Sequence, residues 1–297
     1  MTSLSEAAEL AVKECAKLGA DESEGFVKKQ RTVEIVLERG EIQNERMKIQ
    51  QGIGIRVIKD KRLGFAYAST LNRRVLRETC RDACKLAEIS PENQDWVSLP
   101  YPKKIPPVPE GLYDDDLACL APDEILSMAI QGYDAVKRVD PRVSIDDGKL
   151  SIILVEVAIS NSHGISLEGK GTAASFFLVC IAKEAGESSS FAYEYEVSRT
   201  LKGFSTEKVG ELSAKKALMS LGARKVKPFK GEVLLSPDVA GDVLFRSVIS
   251  SVNADNVQRG RSLWADKIGE NVSNSKLTVI DDGLLPYGLG SSPFDAE

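Results

Sequence analysis

Apolar residues recur at helical spacing at the start of the chain. Leu4, Ala7, Ala11, Cys15 and Leu18 fall on one face. Ser3 and Glu6 form a capping box and Gly19 ends the run, which predicts a helix over 3–18 with Cys15 on its core side. The period then changes to two. Val33, Ile35 and Leu37 alternate with Glu34, Val36 and Glu38, Gly40 breaks the run, and Glu41–Gln50, Gly52–Lys59 and Arg62–Ser69 follow. From Glu24 to Ser69 this predicts four or five strands joined by short turns, an antiparallel sheet. Helical spacing returns over 71–89, capped by Thr70, with Val75, Leu76, Thr79, Ala83, Leu86 and Ala87 on one side.

Between Pro91 and Pro109 lie six of the twelve prolines. Proline at that density continues neither helix nor ladder, so the stretch reads as a linker. Asp114, Asp115 and Asp116 open another helical region, and Pro122, Asp123 and Glu124 supply a first turn that ends near Asp140-Pro141. Strand patterns follow at Val143–Asp146, Lys149–Ser160, Ile165–Leu167, Gly169–Ala182 and Ser190–Ser198, with Asn161-Ser162-His163-Gly164 as a hairpin turn. A helix over 205–221 comes next. Glu232–Leu235 reads as a buried strand leading into Ser236-Pro237-Asp238, a helix start. The helix carries Val239, Val243, Leu244, Val248 and Val252. A segment Ser262–Glu270, a short strand Leu277–Ile280 and an Asp281-Asp282-Gly283 turn complete the pattern. The class is α+β: antiparallel sheets with flanking helices in an N-terminal domain (1–90), a Pro-rich linker (91–112), a second mixed α/β region (113–230), and a last region from 231 to 297.

Composition narrows the function. A net charge of −5 argues against a general nucleic-acid binder, which needs a basic face for phosphates. Five cysteines in no framework spacing, and no signal peptide, point to reduced thiols in a cytoplasmic protein. No apolar run reaches the ~18 residues of a membrane span.

Candidate chemistry is sparse. His163 is the only histidine, and it sits in a turn with no nucleophile signature beside it, so it reads as a solvent-exposed turn residue. A helical zinc motif that needs two histidines is excluded from this chain. Cys80 and Cys84 lie four apart on a helix, but two thiolates do not make a zinc site. Gly52 and Gly54 lack the context of a dinucleotide loop. Adjacent Asp281 and Asp282 read as turn caps, and no spacing supports pairing Ser247, Ser250 or Ser251 with Lys267.

The run RGRSLWADKIGENVSNSKLTVIDDG, followed by SSPFDAE, resembles the TldD/PmbA family, whose members are known as modulators of DNA gyrase. GIGIRVIKDKRLGFAYAS resembles its N-terminal domain, and the Asn-Ser-His-Gly turn extends the likeness through the middle of the chain. In the TldD branch, a zinc metalloprotease, a helix before the long run carries His-Glu-x-x-x-His. Counting back from Gly269-Glu270 places that motif on Phe245 to Ser250, with Phe245, Arg246 and Ser250 at its three key places. The chain therefore resembles the PmbA/TldE branch.

The resemblance implies no catalytic or metal residue in this chain, zinc in a TldD-like partner subunit, and a peptide substrate; a homodimer is the other assembly it allows. It also implies that 231–297 is the start of the family's metalloprotease-like C-terminal domain, that the domain itself is missing, and that Phe294 lacks its partner surface. Two further readings stay open: a protein-binding regulator of DNA gyrase, and a stand-alone peptidase. Neither a membrane nor direct nucleic-acid binding is expected.

Overall fold

Four strands of 17 to 19 residues form the spine of the fold: β1 (Glu22–Glu38), β2 (Glu41–Lys59), β4 (Val143–Asn161) and β5 (Ser166–Glu184). The computed structural model describes residues 3–104, 107–189 and 191–294. The chain divides into two compact units, one of Met1–Ala223 with Asp282–Glu297, the other of Arg224–Asp281.

The first unit is built on one antiparallel seven-stranded sheet. Its order is β3-β2-β1-β4-β5-β6, with β7 also on β5; β3 is Arg62–Ala68, β6 Glu187–Ser188 and β7 Ala192–Ser198. One sheet thus takes strands from both sides of the Pro-rich stretch, because β1 pairs with β4 from Glu24↔Asn161 to Glu38↔Asp147. The β1–β2 and β2–β3 hairpins turn on two-residue loops, Arg39-Gly40 and Asp60-Lys61, all four residues at positive φ. That is the turn whose twist matches paired strands.

Strands predicted as separate pieces are continuous. Glu41–Gln50 and Gly52–Lys59 are both β2, and Val143–Asp146 and Lys149–Ser160 are both β4, with a bulge at Ile145/Asp147. Full-length pairing with β1 holds the polar residues between them in line. The predicted strand at Ser190–Ser198 is β7, with Ser190 itself outside the described residues.

Helices cover one face of the sheet at both ends. α1 (Leu4–Lys17) and α2 (Arg73–Ile89) bury Ala7, Ala8, Ala11, Cys15, Leu76, Cys80, Ala83, Cys84 and Ala87 against Val27, Ile53, Ile55 and Val57. α4 (Pro122–Val139) and α5 (Thr206–Met219) bury Ile125, Ala129, Val136, Val209, Ala214 and Ala217 against Val33, Ile35, Leu37, Leu150, Phe176 and Leu178. Val27 and Val33 are both odd positions of β1, so the two cores share a face. Gly64 of β3 allows the first pair its close approach, since a Cβ there would run into the α2 backbone at Ala83 and Ala87.

Local signals set most helix starts. The Ser3–Glu6 capping box is formed. Asp114 caps α3 (Asp115–Cys119) by accepting from the N–H groups of Asp116 and Leu117, and Pro122 opens α4. Helix α2 is capped by Asn72, which accepts from the Arg74 N–H; the predicted cap, Thr70, accepts from the Asn72 N–H and so orients the cap itself.

The second unit holds α6 (Pro237–Leu244), a π-wound segment (Phe245–Ile249), α7 (Ser250–Val252) and α8 (Ala254–Gln258). None of its residues is buried. The predicted strands at Glu232–Leu235 and Leu277–Ile280 are not formed: a strand persists only in a ladder, and neither segment has one.

Candidate functional site

The two cores do not meet. Between them a polar row crosses four strands on the helix-bearing face, Gln51–Lys29–Glu156–Lys170, as the registers of β2, β1, β4 and β5 dictate. Lys29 Nζ lies 3.2 Å from Glu156 Oε2. Lys170 Nζ stands 3.5 Å above the Tyr113 ring, whose hydroxyl pKa is raised by burial and then by Asp115. This row floors a cavity of about 1100 Å³. Leu4 and Leu71 wall it at the starts of α1 and α2, and Val108, Pro109 and Leu112 wall it from the end of the Pro-rich stretch. Arg73 of α2 also faces the cavity, in a first helical turn with no acidic residue. A concave site with apolar walls and a few convergent polar groups is the usual form of a ligand site. The sequence carried a signal for it that pattern reading passed over: Lys29, Gln51, Glu156 and Lys170 occupy inward positions of their strands.

His163 is not solvent-exposed as its turn suggested. Its side chain is 17% exposed, its ring stacks on Tyr101 at 4.0 Å between centroids, and Nε2 lies 3.5 Å from Glu22 Oε1. The other Glu22 oxygen accepts from the Leu99 N–H at 2.7 Å, and Asn161 Nδ2 donates to the Pro100 carbonyl at 2.8 Å. The histidine thus helps fasten the Pro-rich stretch to the β4–β5 turn. Among the described residues His163 Nε2 has no hydrogen-bond partner.

Cys15, Cys80 and Cys84 lie together in the first core. The Cys15 thiol is held far above the ordinary range, chiefly by its hydrogen bond to Cys80 and then by burial; the same bond lowers Cys80. Cys84 is raised by burial. Among the described residues no group of three His, Cys, Asp or Glu side chains is placed to hold a metal ion.

The positions that the resemblance assigns to a metal motif fall on the π-wound segment and the residue after it. π winding bonds residue i to i+5, so it stacks Phe245 near Ser250, where α winding would turn them apart. Phe245 is two-thirds exposed. Arg246 Nε pairs with Asp242 at 3.0 Å, and Ser250 Oγ donates to the Arg246 carbonyl at 2.7 Å. A phenyl ring, a guanidinium and a hydroxyl committed to the helix do not fit zinc, which takes thiolate, imidazole or carboxylate. Ser247 and Ser251 likewise donate to helix carbonyls, those of Val243 and Ser247. Asp282 accepts from the Leu284 N–H, a turn cap.

A one-sided antiparallel sheet with a helix pair at each end, and a separate helical unit with a π turn, define the class to which comparison assigns the chain. Residues 24–87, 115–221 and 228–297 match, in order, domain 1, the central domain and the C-terminal domain of the PmbA/TldA metallopeptidases, and the chain belongs to that family, the TldD/PmbA family. Metalloprotease PmbA of Escherichia coli O157:H7 is 26% identical over 296 residues, covering 96% of this chain and 63% of that protein. TldE from Thermococcus kodakarensis has the same fold at a TM-score of 0.77 and 23% identity, over 88% of this chain and 58% of that one. A Bacteroides thetaiotaomicron protein described as a modulator of DNA gyrase reaches a TM-score of 0.87 at 22% identity, over 98% of this chain and 66% of that one.

These findings correct one expectation. The C-terminal domain is not missing, since residues 228–297 match it. The chain spans less than two thirds of the length of the curated relatives it matches, 62% and 63% for two of them. Phe294 also has a partner: its ring lies against Gly169 and is half-buried. The final Asp295-Ala296-Glu297 of the motif lies outside the described residues. Among the described residues no helix is long and apolar enough to cross a membrane.

Proposed function

We propose that this chain is the metal-free, PmbA/TldE-type member of a two-subunit zinc metallopeptidase that acts on unfolded or small peptides. One observation supports the reading: the chain has a single histidine, and the count by resemblance puts Phe245, Arg246 and Ser250 at the three places of the metal motif. Zinc and the water it activates then belong to a homologous subunit that carries His-Glu-x-x-x-His. This chain shapes the peptide chamber and holds substrate beside that centre. Where no such homologue exists, the assembly is a homodimer.

Affinity purification of the protein at its native level, with mass spectrometry and metal analysis of what is recovered, tests this. The expected result is a homologue bearing the two-histidine helix, with zinc in that subunit. Stoichiometric zinc in this chain alone overturns it. The description of a fold relative as a gyrase modulator favours a second reading, a protein-binding regulator of gyrase. Recovery of gyrase subunits without the homologue would select that reading.

A further inference from the structure

Strand β3 has seven residues and β2 nineteen, so β3 pairs with β2 only from Ile53 to Lys59. After Ala68 the chain leaves the sheet to begin α2. The outer side of Glu41–Gly52 therefore has no ladder partner among the described residues. On its inner side β1 pairs along the whole stretch. The backbone is held extended, and alternate residues turn their N–H and C=O groups outward. A sheet edge of this length is a template for another strand, and proteins usually guard such edges with charge. Glu45, Arg46 and Lys48 guard the middle of this one; Ile49, Gln50, Gln51 and Gly52 leave the rest open.

A cavity of about 860 Å³ lies where β3 stops, lined by Ile49, Gln50, Gln51, Gly52 and Ser69. Met47 and Ile49, on the helix-bearing face, are 55% and 62% exposed. Arg46, Lys48 and Gln50 project from the reverse face, and Lys48 is already paired with Glu34 at 3.3 Å. Asn44, on the same stretch, has a buried Oδ1 with no hydrogen-bond partner among the described residues. The open edge thus offers backbone hydrogen bonds, two apolar side chains on one face and a polar surface on the other, where Arg46 and Lys48 flank Glu34. Gln51 and Lys29 line both this cavity and the larger one over the polar row, so the edge runs into that floor.

We infer that the Glu41–Gly52 edge of β2 takes up an extended segment of unfolded polypeptide as an added antiparallel strand in line with β3. The segment is chosen by its backbone and by apolar side chains at alternate positions that cover Met47 and Ile49. Strand addition of this kind needs no catalytic residue in the host. The inference rests on the reading of the chain as a peptide-handling subunit and gives that reading a place.

The test uses the full chain and a fluorescein-labelled ten-residue peptide in which valine alternates with serine and lysine. Two further versions are N-methylated at one or the other set of alternate amides. Binding is followed by fluorescence anisotropy, and backbone exposure by hydrogen exchange with mass spectrometry. The unmodified peptide is expected to bind, and at least one methylated version to bind at least tenfold more weakly. Exchange should slow within Met47–Gly52. Ile49→Lys, a change at an exposed position, should weaken binding severalfold while leaving the thermal midpoint of the chain in place.

Absence of binding overturns the inference, as does equal binding of all three peptides or protection confined to other strands. A dimer in sedimentation whose Met47–Gly52 amides are protected without peptide also overturns it, since a second copy then fills the edge. Recovery of the metal-bearing homologue together with any of these results removes the edge alone and leaves the proposed function standing.

Discussion

At one end of the sheet the helices bring mainly alanines and thiols; at the other they bring alanines as well, around large side chains such as Phe176, Leu37 and Leu178. Over Val27, Ile55 and Val57, helices α1 and α2 place Ala7, Ala8, Ala11, Cys15, Cys80, Ala83 and Ala87. Around Leu37, Leu150 and Leu178, helices α4 and α5 pack with Phe176, Ile125 and Val136. Small residues let backbones approach, so the first end depends on space that must stay empty of side chain. Large residues bring apolar area, so the second end depends on volume that must stay filled. Small residues serve the second end too, where Gly132 and Gly210 bring α4 and α5 together, so what sets that end apart is the large side chains added around Phe176.

The sharpest way to break this contrast is at Phe176, which is fully buried and whose ring fills the space beside Gly132. Phe176→Ala should cost about 3–5 kcal/mol, read from urea unfolding. A loss below ~1 kcal/mol would mean the second end does not rely on volume. Gly64→Ala tests the first end, because the added methyl meets backbone that cannot swing aside; about 2–3 kcal/mol is expected. A neutral outcome there would remove the close-approach argument. Cys15→Ala should be milder, about 1 kcal/mol, since it removes one atom from an already small-residue contact. A cost equal to that of Phe176→Ala would erase the distinction between the ends.

The smallest effect is a pH dependence at the rim of the second end. Arg142 donates to Asp140 from its side chain and its backbone and holds that carboxyl down to about 2. A folded value below the ordinary ~3.9 means the unfolded state binds the proton more readily. The contribution is therefore complete above about pH 4 and is lost as pH falls through the folded value. Asp140→Asn should flatten this part of the acid limb of a stability profile, and an unchanged limb would show that the exposed pair contributes nothing.

Local chemistry was legible in the sequence at most places where the partner lies within a few residues, though the α2 cap fell on Asn72, not Thr70. The Ser3–Glu6 box, Asp114 and Pro122 at helix starts, and the Asn161–Gly164 turn follow from short-range hydrogen bonds and backbone preference. The continuity of β2 was not legible, because Gln50, Gln51 and Gly52 interrupt the apolar alternation. They keep the strand's register only because β1 pairs with them, and Gln51 has its role as cavity floor only once Lys29 stands opposite. The partial burial of His163 depends on Tyr101, 62 positions earlier, and no window along the chain contains both. Glu232–Leu235 and Leu277–Ile280 have strand-like side chains, but a pattern does not supply a partner. The metal-motif places were reached by resemblance alone, since nothing in the local pattern marks Phe245, Arg246 and Ser250 as a set.

The π turn separates backbone winding from side-chain ligation. Winding is fixed by backbone hydrogen bonds from each residue to the fifth before it, whereas ligation is fixed by which side chains the winding aligns. In this chain the π winding is present while Phe245, Arg246 and Ser250 offer no zinc ligand set. A helix of this kind fixes where side chains stand without fixing what they are.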